Sequence, residues 1–426
     1  MIGFRSKAVM PPNLPDWLDL ARGLAVVEVL AFHSYQLMFQ EQVPGASYDA
    51  SVVFVYSALW ALSAHGIAAV VVFFVLSGYL VGGPALVRAK NGGLSAIDYF
   101  SARAVRLYVV VIPALVISFF AYVSARHMGG WQAFVASHYD FFLATGLFSA
   151  SVSPASAICN GLFLQTITCS TYAGNLALWS LSNEFWYYVL IFALVSVRKT
   201  PSMALLIVGI FVLFVIAEKS DVRGTHTGLK FIFYFLIWCS GALVYAIVAP
   251  VLAWLFGFLI CLGGIYILSI KGLLASWAAY YLTIGLLTAA AILSLEITEI
   301  SLPSSLRFTK EIAKFSFSIY AIHYPILLLL NVMAASDHNE FTFASLGLDA
   351  VFMLCALSVS FIFYLLFESH TLAVRTWVRN ITKRGARASY DVLRPAAVLE
   401  IVRPHHSIAD DQVKPVTEHG ASVVPP

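Results

Sequence analysis

Residues 18–39 read LDLARGLAVVEVLAFHSYQLMF, a stretch long and apolar enough to cross a lipid bilayer as one helix. Three ionisable side chains, Arg22, Glu28 and His33, interrupt this apolar run. Lipid penalises such groups, and ionisable residues inside membrane segments usually face a bundle interior or a wet cavity and mark functional sites. The stretch therefore predicts both a membrane fold and the position of a site within it.

The composition extends this prediction to the whole chain. Of 426 residues, 60% are hydrophobic and only 11% are charged, too few for the polar surface of a water-soluble globule. A spanning helix needs about 20 mostly apolar residues. Segments of this kind predict an all-α, polytopic membrane helical bundle with about ten transmembrane helices, at residues 18–40, 65–83, 104–125, 176–197, 202–217, 230–248, 251–270, 273–294, 312–334 and 345–367.

Lysine and arginine positions predict the orientation, because positive charge accumulates in short cytoplasmic connections. Arg5 and Lys7 place the N-terminus in the cytoplasm, and ten crossings return the C-terminus to the same side. The connection at 41–64 contains no lysine or arginine and is predicted to lie outside. We therefore expect three parts, a cytoplasmic segment at 1–17, a transmembrane domain at 18–368, and a basic, then disordered cytoplasmic tail at 369–426.

The second long outer connection, 126–175, contains two of the five cysteines, Cys159 and Cys169. Disulfides persist in oxidising compartments such as the periplasm, but the sequence leaves open whether these two cysteines form one. The segment 134–148 in the same connection predicts an interfacial helix or a half-crossing. The net charge of +3 comes mostly from residues in the inner connections, so it gives no reason to expect a nucleic-acid partner.

Helix geometry relates the polar groups of the first segment to each other. Arg22 and His33 are three turns plus about 20° apart, so they lie on one stripe about 16 Å apart along the axis. Glu28 points roughly 140° away from His33 and is predicted to be a structural partner of another helix. Arg22 also fits an arginine that extends to the membrane surface, whereas the deeper His33 indicates function.

Polar groups on two other segments are predicted at matching depths. Glu184 in WSLSNEFWYY lies about 12 Å from the outer end of its helix, near the level of His33. Arg103 and Arg106 in YFSARAVRLY are three residues apart, so they share one helix face near the level of Arg22. Arginines suit a phosphate-bearing ligand, and an imidazole with a carboxylate partner suits general-base chemistry.

A second histidine, His323, lies in the middle of the ninth segment and is followed by Pro325, which removes a backbone hydrogen bond and can open a helix locally. Two histidines and a glutamate on separate helices could ligate zinc in principle. The sequence contains no paired ligand spacing such as H-E-x-x-H, so no metal site is predicted.

Five stretches in this order resemble the integral-membrane acyltransferase 3 family over nearly the whole membrane region. LDLARGLAVVEVLAFH is similar to the first span of the family, in which ten residues separate an arginine from the catalytic histidine. FFVLSGYL at Phe73–Leu80 resembles the second-span motif, and RAVR resembles the R-x-x-R motif. WSLSNEFWYY resembles the W-S-L-x-x-E pattern, and FSFSIYAIHYPI resembles the late stretch with Ser-Tyr and His-x-Pro.

The resemblance implies a multi-pass O-acyltransferase of the inner (plasma) membrane. Such an enzyme moves an acyl group, commonly acetyl, from acyl-CoA to a hydroxyl of a carbohydrate such as exopolysaccharide or O-antigen, outside the cytoplasm or linked to lipid. His33 is implied as the general base or a transient acyl carrier, and Glu184 as the group that orients it. Arg22, Arg103 and Arg106 are implied to hold the donor's phosphates.

His323, Tyr320 and Ser77 are possible site-lining residues, although Ser77 beside Gly78 also favours close helix packing. No cofactor is implied other than acyl-CoA as co-substrate. The expected partners are the acyl-CoA donor, a carbohydrate acceptor and the lipid bilayer. The alternative is a polytopic secondary transporter for a small solute, which should show two related halves. The acceptor, the acyl group and the oligomeric state stay open.

Overall fold

The computed structural model describes residues 3–6, 10–39, 43–45, 47–138, 150–165, 167–197, 199–219, 228–249, 251–272, 275–298, 300–334 and 341–381. Met1–Thr376 form one compact unit. A second unit, Trp377–Pro426, is described only as far as residue 381. Most of the predicted disordered tail therefore lies outside the described residues.

The described chain is almost entirely helical, which confirms the predicted all-α class. Its α-helices are α1 Leu14–Phe39, α2 Ala50–Ser63, α3 Gly66–Ser77, α4 Gly83–Lys90, α5 Ala96–His127, α6 Trp131–Ser137, α7 Pro154–Gly161, α8 Trp179–Ser196, α9 Met203–Lys219, α10 Gly228–Ala246, α11 Val251–Ile270, α12 Ser276–Thr298, α13 Thr309–Lys314, α14 Ser316–Met333 and α15 Phe343–Leu366. Short 3₁₀ turns lie at Tyr172–Gly174, Leu176–Leu178, Ser304–Leu306 and Glu368–His370. Two short strands, β1 Gly3–Phe4 and β2 Ile247–Val248, pair in antiparallel orientation.

Seven helices of the described residues are long and apolar enough to cross a membrane by length and composition, among them α5 and α12. The helix at Lys230–Ala246 is apolar but shorter. Each of the ten segments that the sequence predicted overlaps at least one helix of the described residues. These findings support a helical membrane protein, whereas the number of crossings and the side of each terminus remain predictions.

Helix α1 is not among these seven, because its polar side chains lower its hydropathy. It lies inside the bundle instead, where it packs against α3, α14 and α15 and buries twelve of its 26 residues. Glu28 accepts a hydrogen bond of 2.9 Å from the backbone N–H of His65, immediately before α3. This contact confirms that Glu28 has a structural partner on another helix.

Helix α2 corrects the sequence analysis, which read residues 41–64 as a connection without a helix. The helix covers only 14 residues. This is shorter than a bilayer span, so a search for spans passes over it. The helix packs against α1, and the Tyr56 hydroxyl donates to the carbonyl oxygen of Thr342 at 2.7 Å.

The outer connection before α8 is partly described. The segment 134–148 is helical as far as Ser137, and residues 139–149 lie outside the described residues. The imidazole of His138 is buried, and its Nε2 lies 2.8 Å from the carbonyl oxygen of Leu37. His138 thus joins this connection to α1.

A disulfide between Cys159 and Cys169 answers the question that the sequence left open. It closes a loop that contains Phe163, whose φ of 57° is in the left-handed region. The Phe163 carbonyl accepts hydrogen bonds from Ser182 Oγ at 2.6 Å and Trp186 Nε1 at 2.9 Å. Non-glycine residues in this conformation are costly and persist where surrounding contacts fix them. The loop is therefore attached to α8 at a defined position.

Helices α3 and α10 meet backbone to backbone. A π-helical turn at Gly78–Gly82 follows α3, and a Cβ atom added at Gly78 would lie 1.8 Å from the carbonyl oxygen of Trp238. A Cβ atom at Gly241 would lie 2.0 Å from the carbonyl oxygen of Val75. Only residues without a side chain allow this approach, which brings Ser77 against Trp238.

Replacing Gly78 by alanine is expected to lower stability by about 1–3 kcal/mol, because the added methyl group forces the two backbones apart. Thermal unfolding in detergent measures the effect. The control is Gly263→Ala in α11, where no atom lies within 4 Å of the added carbon and alanine is the better helix former. Equal melting temperatures for the two variants would contradict the packing argument.

Candidate active site

A cavity that opens to the outside lies between α1, α3, α5, α8 and α14, with about 740 Å³ of empty space when the solvent at its mouth is included. Its wall is largely apolar, and its polar side chains are Arg22, Ser77, Arg106, Ser180, Glu184, Ser316 and Tyr320. The cavity thus brings together five of the eight residues that the sequence singled out. Arg103, His33 and His323 do not belong to its lining.

Arg22 enters the cavity from α1. Its Nη2 donates to Ser316 Oγ at 3.1 Å, and its Nη1 lies 3.3 Å from Asp19 Oδ1, one turn earlier on the same helix. The Ser316 hydroxyl donates in turn to the carbonyl oxygen of Ala313 at 2.9 Å. A guanidinium carries five N–H donors, so donors remain for a ligand. The sequence also allowed Arg22 to extend to the membrane surface. In the structure its side chain lies in the cavity wall.

The two arginines of α5 differ, although they share one helix face. Arg106 is exposed to the cavity and makes no direct hydrogen bond or ion pair within the described residues. Arg103 stacks on the Tyr99 ring at 3.7 Å and donates from Nη1 to the Tyr99 carbonyl oxygen at 3.0 Å. The structure therefore leaves Arg106 available to a ligand and engages Arg103 with its own helix.

A carboxylate that sequence reasoning missed, Glu368, lies near both cavity arginines. Its Oε2 accepts from the Ser318 backbone N–H at 3.0 Å and from Ser318 Oγ at 2.5 Å, so it caps the first turn of α14. It interacts electrostatically with Arg22 and Arg106. The only signal in the sequence was an acidic residue directly after the last apolar segment.

Glu184 projects from α8 into a network of hydroxyl groups. Its Oε1 accepts from Ser77 Oγ at 2.8 Å and from the Tyr188 hydroxyl one turn later on the same helix. Trp238 Nε1 also donates to Ser77 Oγ, at 3.1 Å. Ser77 therefore contributes both to helix packing and to the cavity wall, which are the two roles that the sequence indicated for it. Glu184 is held in place at the cavity with one carboxylate oxygen engaged.

The predicted pairing of Glu184 with His33 does not occur. The hydrogen bond that His33 makes joins its Nδ1 to Gln36 Oε1, at 3.1 Å. An amide oxygen accepts only, so Nδ1 carries the hydrogen and Nε2 keeps its lone pair. Gln36, one turn away on the same helix, therefore orients the His33 imidazole and fixes its tautomer. The sequence analysis gave this role to Glu184. The sequence contains this signal as an i, i+3 spacing.

His33 lies in a cluster of aromatic rings beyond the cavity. Its ring centroid is 5.3 Å from that of His323, 5.1 Å from that of Tyr324 and 5.0 Å from that of Phe32. Tyr320 connects this cluster to the cavity, because its ring centroid is 6.2 Å from that of His323. The Tyr320 hydroxyl pairs with Ser180 Oγ in the cavity wall, at 2.5 Å.

Helix α14 continues through Pro325, although the sequence suggested a local opening there. Proline has no N–H, which leaves the carbonyl oxygen of Ala321 without its helical donor. Asn175 Nδ2 donates to that oxygen at 2.9 Å and to Ser118 Oγ at 3.0 Å. Asn175 is a second residue that sequence reasoning missed, and it supports the helix next to His323.

Within the described ranges, no group of three or more His, Cys, Asp or Glu side chains is close enough to hold a metal ion. What the site offers chemically is a pair of guanidinium groups at a cavity, a carboxylate in a hydroxyl network, and an imidazole with a free lone pair.

The acyltransferase domain that defines the acyltransferase 3 family matches residues 16–367. An O-acetyl transferase of Shigella phage Sf6 is 28% identical over 211 residues, which are 48% of this chain and 54% of that protein. The chain thus matches about half the length of this relative, and no solved structure matches. Because the family match covers most of the chain, including every helix that lines the cavity, the protein belongs to the acyltransferase 3 family.

Proposed function

We propose that the protein is a membrane O-acyltransferase that moves an acyl group, in the first instance acetyl, from acyl-CoA to a hydroxyl of an extracytoplasmic or lipid-linked carbohydrate. The family supports acyl transfer, and the phage relative is named an O-acetyl transferase. The observation that carries the choice of donor is the cavity, where Arg22 and Arg106 extend from two helices into one space.

Coenzyme A is a polyanion with a long, flexible thiol arm. Arg106 has no carboxylate at hydrogen-bond distance within the described residues, and Arg22 uses only part of its donors on Asp19 and Ser316. Charge-assisted bonds to phosphate are among the strongest that proteins make. In this proposal the donor's phosphates bind the two guanidinium groups, and the arm follows the apolar wall of the cavity past Tyr320.

His33 is the proposed catalytic residue. Its Nε2 accepts the proton of the acceptor hydroxyl, whose oxygen attacks the thioester carbonyl. The carbon–sulfur bond then breaks, and the proton passes to the sulfur of coenzyme A, so that an ester and free thiol are formed. An imidazole in this role contributes about 10²–10⁴-fold to the rate. Glu184 contributes from the cavity wall, where it accepts the hydrogen bond of Ser77 and balances the positive charge of the two arginines.

The orientation of the protein gives a test that separates this enzyme from a transporter. Sealed membrane vesicles of both orientations are sorted by the protease sensitivity of a tag at the C-terminus, and labelled acetyl-CoA is added outside. We expect label in an alkali-labile ester, with release of free CoA, only when the tagged face is outward. Control vesicles lack the protein.

Uptake of an unmodified solute without any release of CoA would favour the transporter and overturn the proposal. Transfer of label from acetyl-CoA added at the opposite face would still support an enzyme, but it would show that the predicted orientation is reversed.

A further inference from the structure

Two buried polar atoms beside His33 have no hydrogen-bond partner within the described residues. They are Nε2 of His323 and the hydroxyl oxygen of Tyr324, and both side chains are fully buried. An unsatisfied buried group is destabilising, and native proteins retain few of them, often for a ligand. These two belong to neighbouring residues of α14, and the rings of both contact the His33 ring.

The hydrogen bonds of His323 determine what its free nitrogen can do. Nδ1 lies 2.8 Å from the carbonyl oxygen of Ile319 and 3.1 Å from that of Tyr320. Carbonyl oxygens only accept, so Nδ1 carries the hydrogen and Nε2 has a free lone pair. His33 is in the same state, because Gln36 accepts from its Nδ1. The two neighbouring imidazoles thus each present an acceptor nitrogen, and Tyr324 presents a hydroxyl donor.

A ligand must supply a separate hydrogen to each of these nitrogens. One hydroxyl group carries one hydrogen, so a single alcohol satisfies one imidazole only. The imidazole centroids are 5.3 Å apart, a spacing that suits two hydroxyl groups close together on one ligand. Two hydroxyls on neighbouring carbons meet this requirement, and an oxygen of the same pair can accept from Tyr324.

We propose that His33, His323 and Tyr324 form the acceptor subsite and that this subsite selects a vicinal diol. The reacting hydroxyl donates to His33 Nε2, and its neighbour donates to His323 Nε2 while Tyr324 bonds to the pair. The assignment rests on the proposed O-acyl transfer, and it narrows the acceptor to sugars with a free hydroxyl beside the one that becomes esterified.

The test uses simple alcohols as probes with the purified full-length protein in detergent. Trans-1,2-cyclohexanediol and its cis isomer each carry two neighbouring hydroxyls on a six-membered ring, whereas cyclohexanol carries one. We expect acetyl-CoA-dependent release of CoA to have a KM about tenfold or more lower for one diol than for cyclohexanol, with similar kcat. The same diol, but not cyclohexanol, should raise the melting temperature without any donor present.

Two variants separate a ligand contact from a structural role. Tyr324→Phe removes one hydroxyl and should raise the KM for the diol about two- to tenfold. The KM for cyclohexanol should rise less than the KM for the diol. Without ligand this variant should melt at the same or a higher temperature, because the lost hydroxyl had no partner. The control is Ser360→Ala, which removes another buried, unpartnered hydroxyl far along α15 and should leave the preference for the diol unchanged.

Each outcome decides between the two proposals. Equal KM values and equal melting shifts for the diols and cyclohexanol would overturn the diol subsite and leave acyl transfer standing. A diol-specific melting shift that Tyr324→Phe abolishes, without CoA release for any alcohol, would support the subsite and overturn the transfer reaction. A lower melting temperature for Tyr324→Phe with the preference intact would give Tyr324 a structural role and overturn its assignment.

Discussion

Replacing His33 by alanine is expected to lower acyl transfer about 100-fold or more while leaving the helix bundle intact, because a general base contributes about 10²–10⁴-fold. His33 is partly buried, and within the described residues its hydrogen bond is to Gln36 on its own helix. The substitution therefore removes ring contacts with His323 and Tyr324 of α14 but breaks no hydrogen bond between helices. Release of CoA from acetyl-CoA measures the loss of activity. The melting temperature in detergent measures the integrity of the fold.

Two further variants make this result specific. His127→Ala removes an exposed histidine whose hydrogen bond, within the described residues, is to the carbonyl oxygen of Val123, and activity should not change. Gln36→Leu keeps the imidazole but removes the acceptor that fixes its tautomer, so we expect a partial loss. A well-expressed His33→Ala protein that keeps a substantial part of the wild-type rate would contradict the general-base assignment.

Replacing Arg106 by alanine is expected to weaken acetyl-CoA binding about tenfold or more, because one charged hydrogen bond to phosphate is worth about 1.5–3 kcal/mol. The side chain extends into the cavity and has no competing direct bond within the described residues. Direct binding measurements with labelled acetyl-CoA at two salt concentrations give the affinity. The loss should be smaller at high salt, because screening already weakens the contact there.

Arg103 provides the matched comparison, one turn away on the same helix. Arg103→Ala should weaken donor binding less, because the Tyr99 ring and carbonyl oxygen already engage its guanidinium. Equal losses for both variants would support the symmetric pair that the sequence indicated and contradict the distinction drawn from the cavity. If the Arg106→Ala variant binds acetyl-CoA with unchanged affinity, the proposal that the donor binds in this cavity is wrong.

The helices could be predicted from the sequence because long apolar runs have one stable conformation in lipid, the hydrogen-bonded helix. The common depth of Arg22 and Arg106 was also accessible, since depth along a helix follows from residue number. Glu184 was expected at the depth of His33, whereas it lines the same cavity as the two arginines. The family resemblance placed the same residues in one site, and the family match confirms the resemblance.

Contacts between helices could not be predicted in the same way, because the depth of a residue in the membrane does not determine how its helix is rotated about its own axis. Glu184 and His33 were assigned similar depths, yet Glu184 bonds to Ser77 and Tyr188, and His33 bonds to Gln36. Arg103 and Arg106 share a face, but an aromatic neighbour engages only one of them. Helix α2 was missed because it is apolar without being long enough to span.

The position of α1 in the centre of the bundle has a consequence for how the protein is made. Helix α1 is synthesised before α14 and α15, yet Arg22 bonds to a serine 294 residues later and Ser34, beside His33, donates to Asp349 Oδ1 at 2.6 Å, 315 residues later. These polar groups of α1 thus obtain their partners only after α14 and α15 have been synthesised. Domains ordinarily fold from the N-terminus during synthesis. Here helices that are synthesised much later complete the contacts of α1, so chains that stop short of α14 and α15 carry His33 without an assembled site.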